Sequence, residues 1–302
     1  MANIVIIGDG AIGLLYSHFL SANNQITLIT RSGDCKSNYY YQYNEQQQVI
    51  SATVLNTTQL NRLKTKALDT VIFAVKAYQV NDAFSLVKPY LSDNCNIVLS
   101  HNGLSDLDPL LCQLQSQQGL YFLTTRLAGF KVTPIKVAHT GYGESILGSC
   151  NAIAATRYKA VLSQLNNLPN IRFSEHINQL RWQKLLINIA INPLSALYNV
   201  KNGALRAPIF SRKILNTVNE ACHVAKKMGV NVTLADVLAT AYQVMSDTQN
   251  NFSSMQQDVA HSRVTEIDAM CGYICQQAKI LDINTPHNQS LLDAIRHKKS
   301  AI

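Results

Sequence analysis

The 302-residue chain has no apolar run reaching the ~18 residues that a membrane-spanning helix needs, which argues against a membrane protein. It has no internal repeat and no low-complexity tract; Gln46-Gln47-Gln48 reads as a short polar loop. The N-terminus, Met1 to Gly10, lacks a basic region followed by an apolar stretch and a cleavage site. It reads as a strand, and the expected location is cytoplasmic. Charged residues are scarce at 15% while hydrophobic ones reach 47%, which excludes a disordered chain and supplies a sizeable core. The cysteines (35, 95, 112, 150, 222, 271 and 275) are odd in number and scattered, without metal-ligand spacing. Cys271 and Cys275 share a helix face, but no histidine or second cysteine pair accompanies them. Neither a metal nor a disulfide is expected, only buried thiols in a reducing compartment. Basic clusters with interleaved aromatics are also absent, although 26 Lys+Arg against 18 Asp+Glu leave a charge of +8. Nucleic acid is thus the weaker reading of that charge. An enzyme attracting a phosphorylated cofactor and an anionic acid is the stronger one. The basic tail at Arg296-His297-Lys298-Lys299 reads as a solvated helix end.

What is present divides the chain in two, as its length suggests. The first part, residues 1–175, has α/β character. Asn3 to Ile7 is a short continuous apolar run, the mark of a parallel strand buried on both faces. Gly8-Asp9-Gly10-Ala11-Ile12-Gly13 follows at once, then a helical pattern from Leu14 to Ser21. This puts G-x-G-x-x-G in a strand–turn–helix setting. There Gly8 permits the tight turn, Gly10 a close approach to a diphosphate, and Gly13 the packing of helix on strand. A dinucleotide is the expected ligand. A second strand, Gln25 to Thr30, ends in Arg31-Ser32, where an NAD-selective site carries an acid. Arg31 offers a guanidinium fork to a 2′-phosphate, with Ser32 as a second donor, so NADP is favoured. Asp34 lies close by, and a plain surface arginine is the alternative.

Strands Thr70 to Val75 and Asn96 to Ser100 run into Lys76 and into His101-Asn102-Gly103. Ligands in open α/β sheets bind beyond the carboxyl ends of strands, so Lys76 and Asn102 are either site residues or turn residues. Gly119 to Thr125, Lys136 to Thr140 and Ser145 to Leu147 are expected to continue the sheet. A helix over Ala155 to Leu165 and a strand over Ile171 to Ser174 close the part near residue 175.

Residues 176–302 read as helical. Leu180 to Asn192 is apolar nearly all round, with Pro193 expected to end the helix. Within it Lys184, Asn188 and Asn192 recur at i, i+4 and i+8 and share a face. Burying two unpaired amides and an ammonium costs on the order of 2–7 kcal/mol for each neutral group and more for the charge. The stripe therefore wants either an internal hydrogen-bond network or a polar substrate. A lysine so placed suits general acid chemistry. Tyr198 to Gly203 reads as a turn. In Asn250-Asn251-Phe252-Ser253-Ser254-Met255-Gln256, Ser253 and Gln256 form a capping-box pattern that sets Ser254 in a first helical turn. Thr265 reads as another N-cap, with Glu266 complementing the dipole of a surface helix.

Together these segments resemble the ketopantoate reductase (2-dehydropantoate 2-reductase) family over essentially the whole chain. The matching pieces include the glycine motif, Val75-Lys76-Ala77-Tyr78-Gln79-Val80 and His101-Asn102-Gly103. In the second part they are Trp182-Gln183-Lys184-Leu185, Asn188, Ile191-Asn192-Pro193-Leu194-Ser195-Ala196 and Asn202-Gly203. Ser253-Ser254-Met255-Gln256-Gln257-Asp258 and Thr265-Glu266-Ile267-Asp268 complete them. The resemblance implies a Rossmann NADP-binding domain (1–175) joined to an all-helical substrate domain (176–302) of the 6-phosphogluconate dehydrogenase C-terminal type, with the active site in the cleft between. It implies NADPH as hydride donor, ketopantoate as a small-molecule substrate, and a monomer or homodimer; the alternatives are a paralogous NADPH reductase of another small 2-keto acid and a non-catalytic NADP(H)-sensing module. Lys184 would be the proton donor with Glu266 beside it, against the surface reading of Glu266. The glycine motif, Arg31, Lys76, Asn102, the backbone near Gly129 and Glu266 would hold the cofactor. Asn102, Lys184, Asn188, Asn192, Asn202, Asn251, Ser253 and Ser254 would hold the substrate. Two departures stand out. Asp9 puts a carboxylate in the diphosphate loop, tolerable only if it points away from the phosphates. Ser105 replaces the second glycine of His-Asn-Gly-x-Gly.

Overall fold

The structure, a computed structural model, describes residues 1–31 and 38–300. Ser32, Asp34 and Cys35 lie outside the described residues. The chain resolves into two compact units, Met1–His101 with Asp106–Ile177, and Asn102–Ser105 with Asn178–Ile302.

The first unit opens with β1 (Asn3–Ile7), α1 (Ala11–Leu20) and β2 (Gln25–Thr30), followed by β3 (Tyr40–Tyr43), β4 (Gln46–Val49) and β5 (Thr53–Asn56). It continues through β6 (Leu68–Phe73), α2 (Val80–Val87), β7 (Leu91–Leu99), α3 (Asp108–Leu111) and β8 (Gly119–Thr125). It ends with β9 (Ala128–Thr133), β10 (Lys136–Gly141), β11 (Ser145–Ser149), α4 (Ala152–Gln164) and β12 (Ile171–Phe173). Among the described residues the main sheet runs β12-β11-β8-β7-β6-β1-β2-β5. All its pairings are parallel except β11 with β8. The chain leaves β1 toward β2 on one side and returns to β6 on the other, so the loop after β1 sits at the switch point where such sheets bind ligands. Apolar β1 and β6 are buried because they pair on both edges and are covered on both faces. This is the Rossmann-type arrangement expected.

A second sheet, β4-β3-β10-β9, corrects two expectations. Lys136 to Thr140 does not extend the main sheet; β10 lies between β3 and β9 instead. Gln46 to Gln48 is no loop but an exposed edge strand. Its register follows from a two-residue turn with positive φ at both Asn44 and Glu45, the geometry whose twist matches a hairpin. An aromatic cluster seats this sheet on α1. The His18 ring stacks on Tyr41 at 3.6 Å, and the Tyr41 hydroxyl lies 2.8 Å from Nδ1 of His139.

The second unit is helical: α5 (Ile177–Tyr198), α6 (Pro208–Lys227), α7 (Leu234–Asp247), α8 (Ser254–Ala260), α9 (Cys271–Ile280) and α10 (Pro286–Ser300). α5 runs through Pro193 rather than ending there. A mid-helix proline costs ~3 kcal/mol, yet Ile189, Ala190, Ile191, Leu194 and Ala196 around it are all core residues. Each large one contributes ~1.5–3 kcal/mol on burial, so packing overrides the break. Among the described residues no helix is long and apolar enough to cross a membrane.

Candidate functional site

The carboxyl ends of β1, β6 and β7 stand level, tied by Ala74 N–H donating to Ile7 O and Ser100 N–H to Phe73 O, both 2.9 Å. Three loops therefore leave one edge of the sheet. The first is the glycine loop. Gly8 has φ +110°, and a Cβ there would lie 2.6 Å from the Ala74 carbonyl oxygen. A Cβ on Gly13 would lie 1.9 Å from the Gly8 carbonyl oxygen, so helix and loop touch through backbone. Gly10, by contrast, faces open space, with nothing within 4 Å of where its Cβ would be. No side chain caps the start of α1, and its first turn carries no acid. Unclaimed amides, a positive dipole end and an open approach fit the diphosphate of a dinucleotide.

Asp9 breaks the electrostatic pattern of that loop, and the fold answers it. Its carboxylate meets Nζ of Lys131 on β9 at 3.1 Å, and the same ammonium donates to the Asp9 carbonyl at 2.9 Å. The Tyr39 hydroxyl approaches the same carboxylate oxygen at 3.5 Å. Gly129, also on β9, lets that strand close on its surroundings. A Cβ there would lie 2.7 Å from the Ala138 carbonyl and 3.1 Å from Leu15 Cδ1. Arg31 is exposed at the end of β2, its carbonyl accepting from Thr57 Oγ1 at 3.2 Å. Lys76, half-buried, opens the short turn Ala77–Gln79, where its N–H donates to Gln79 Oε1 at 3.1 Å.

The loop after β7 belongs to the helical unit from Asn102 onward. Gly103 takes φ +77°, and a Cβ would fall 2.3 Å from the Ala269 carbonyl. The Leu104 N–H donates to that carbonyl at 2.8 Å, and the Leu104 side chain joins the helical core. Asn102 is thereby set beside Glu266, with Nδ2 donating to Oε2 at 3.4 Å. Glu266 is only 4% exposed. It precedes the short turn Ile267–Ala269 instead of lying in the first turn of a surface helix. The expectation of a solvated, dipole-complementing glutamate is therefore wrong. Ser105 lies in the same short loop segment.

On α5, Lys184 and Asn188 are half-buried and Asn192 is buried, its Nδ2 3.9 Å from the Met270 sulfur. One turn on, the buried Ser195 hydroxyl donates to the Asn192 carbonyl at 3.1 Å and meets Ser253 Oγ at 2.5 Å. Ser253 caps α8, accepting from the Gln256 N–H at 3.1 Å. Its reciprocal box partner is diverted, because Gln256 Nε2 donates to Asn199 Oδ1. With the single Ser195 proton directed to Asn192, the Ser253 proton is directed to Ser195. Ser253 is thus occupied in tying α8 to α5, while its neighbour Ser254 is exposed. Nothing in the spacing of Ser195 and Ser253 signals this tie, nor the pairing of Lys131 with Asp9. Buried Asn202 donates to Thr248 Oγ1 at 2.9 Å, and its N–H donates to the Asn251 carbonyl at 2.9 Å. Its Oδ1 has no hydrogen-bond partner among the described residues. The Asn251 side chain is exposed.

Comparison with known proteins bears on both units. The family described as ketopantoate reductase PanE/ApbA matches residues 4–152, and its C-terminal counterpart matches residues 176–299. A 2-dehydropantoate 2-reductase of Vibrio cholerae serotype O1 is 32% identical over 97% of each chain. In fold, the chain is similar to a PanE/ApbA family ketopantoate reductase from Ralstonia eutropha, with TM-score 0.87 and 23% identity over 99% of each chain. It is also similar to a D-mandelate dehydrogenase solved with NADH and anilino(oxo)acetate, with TM-score 0.91 and 20% identity over 99% of this chain and 98% of the other.

Proposed function

This chain belongs to the ketopantoate reductase family of NAD(P)-dependent oxidoreductases, and on that footing we propose that it reduces 2-dehydropantoate to (R)-pantoate with NADPH. That reaction is a step toward pantothenate and coenzyme A. The observation that carries the reading is the pairing of Asn102 with a buried Glu266 in the helical unit, which also holds the stripe Lys184, Asn188 and Asn192. A buried carboxylate, a lysine and several amides form the polar set that a small hydroxylated keto acid would need.

The glycine loop, Arg31, Lys76, Asn102, the backbone near Gly129 and Glu266 would hold the dinucleotide. When bound, it supplies the hydride that reduces the 2-keto carbon. The keto oxygen must then gain a proton, and Lys184 is assigned that step. Its ammonium polarises the carbonyl, stabilises the negative charge developing on oxygen, and donates the proton. Solvent reprotonates the amine afterwards. Asn188, Asn192, Asn202 with its unpartnered Oδ1, and Ser254 are assigned to the substrate's carboxylate and hydroxyl. Asn251 and Ser253 were expected beside them. The bonds of Ser253 to Ser195 and Gln256 favour it as the support for Ser254, and the Asn251 carbonyl, which accepts from the Asn202 N–H, favours a backbone role for Asn251.

The test is optical: oxidation of NADPH with ketopantoate, set against pyruvate, 2-oxoisovalerate and the keto acid corresponding to mandelate. The same series is repeated with NADH. Ketopantoate with NADPH is expected to give the highest kcat/KM. A clear preference for another keto acid would overturn the substrate assignment.

A further inference from the structure

A carboxylate in the glycine loop of a dinucleotide site repels the diphosphate that the loop must admit. This chain carries Asp9 in that loop and pairs it with Lys131, which comes from β9 of the second sheet, 122 residues away. Lys131 grips both the carboxylate, at 3.1 Å, and the carbonyl of the same residue, at 2.9 Å. A cation that merely met a surface carboxylate would have no need of the second bond. The double grip orients Asp9 as well as neutralising it. Tyr39, just before β3, reaches the same carboxylate, so β9 and the segment leading into β3 converge on one loop residue. Both partners are partly buried, with side chains about one-third exposed, so water screens the pair only in part.

We infer that Lys131 is a cofactor-affinity determinant acting through Asp9: it cancels and fixes the carboxylate so that the glycine loop accepts a dinucleotide diphosphate. The inference rests on the reading of this loop as the cofactor site. It goes beyond that reading in giving the second sheet a task, which is to deliver one cation to the loop. The pair behaves as a unit. Without Lys131, Asp9 stands as an uncompensated negative charge beside the diphosphate. Without Asp9, Lys131 is released as a positive charge near the same group.

A double-mutant cycle on the full chain, read as Kd by calorimetric titration with NADPH and separately with NADH, tests this. Lys131→Met is expected to weaken binding of both cofactors by about tenfold, equivalent to ~1.4 kcal/mol. Asp9→Asn alone is expected to bind at least as tightly as the unaltered protein. Lys131→Met in the Asp9→Asn background is expected to change Kd by less than about threefold, because the charge that needed cancelling has gone. A circular-dichroism melt of each variant checks that β9 remains folded, and Lys131→Arg is expected to bind nearly normally. Equal losses from Lys131→Met with and without Asp9 would overturn the inference. So would a loss confined to NADPH, which would make Lys131 a direct contact of the 2′-phosphate. If the unaltered protein binds neither dinucleotide, the cofactor reading fails first and takes this inference with it. If the unaltered protein binds and Lys131→Met matches it, only the inference fails.

Discussion

Lys184 is the residue on which the proposed chemistry depends most. It shares a face of α5 with Asn188 and Asn192, in a helix whose Trp182, Leu185, Leu186, Ile189 and Leu194 are core residues. If it donates the proton to the alkoxide, Lys184→Ala is expected to lower kcat at least ~10²-fold, the lower range for general acid catalysis. Its affinity for NADPH without substrate should change little, because the glycine loop and Arg31 belong to the other unit. Stopped-flow turnover together with a binding titration checks both halves; near-normal kcat in a folded variant would return Lys184 to a structural stripe. Arg31 carries the second residue-scale prediction. A charge-assisted contact is worth ~1.5–3 kcal/mol, so Arg31→Ala is expected to weaken NADPH binding roughly ten- to hundredfold and NADH hardly at all. Equal losses for both cofactors would refute the assignment. The Lys184 stripe and Arg31 could be picked out by spacing and position alone. Glu266 could not: its burial comes from the loop Asn102–Ser105 packing on Ala269, a contact between segments more than 160 residues apart.

At the scale of elements, a strand followed by a glycine loop and a helix is legible because each part is local: apolar run, glycine spacing, amphipathic period. The hairpin β3–β4 was not legible. Its turn is Asn44-Glu45, and Glu in a left-handed conformation lacks the glycine that usually announces such a turn. Nor was the departure of β10 into the second sheet, since which strand pairs with which is a non-local choice. What seats that sheet on α1 is an aromatic cluster with a titrating consequence. His18 meets Tyr41, stacked at 3.6 Å, Phe19 edge-on, and the electrostatic influence of His139. His139 accepts from Tyr41 at Nδ1, donates from Nε2 to the Gly141 carbonyl, lies tilted against Tyr43 and meets Tyr142 edge-on. Burial, helped by His139, pushes His18 down to about 4, and burial also lowers His139. Both imidazoles ionise more readily unfolded, near the usual ~6.5. The unfolded state therefore binds more protons between those values, and stability falls as pH drops through that window. His18→Phe is expected to flatten the dependence of the urea midpoint on pH between ~6.5 and ~4, relative to the unaltered chain. An unchanged slope would show that the cluster does not govern it.

At the scale of the whole molecule, the described residues include one hydrophobic cluster against the sheet and another among the helices, and the loop carrying Leu104 contributes to the helical one. The single tryptophan, Trp182, is buried in the helical core with Tyr273 edge-on at 5.7 Å. Its fluorescence therefore reports unfolding of the helical unit. Calorimetry or far-ultraviolet circular dichroism follows both units. The glycine loop and Arg31 lie in the sheet unit, whereas Asn102 and Glu266, also proposed to hold the cofactor, lie in the helical unit. A ligand stabilises only what it grips, by about 2.7 kcal/mol at 100 times its Kd. NADP+, which does not itself fluoresce, is then expected to raise the Trp182 transition by several degrees as well as the transition of the sheet unit. Glu266→Gln is expected to shrink the Trp182 shift while leaving the sheet unit's shift in place. If the Trp182 curve stays where it is in saturating NADP+, the cofactor is held by the sheet unit alone. Asn102 and Glu266 would then serve the substrate only.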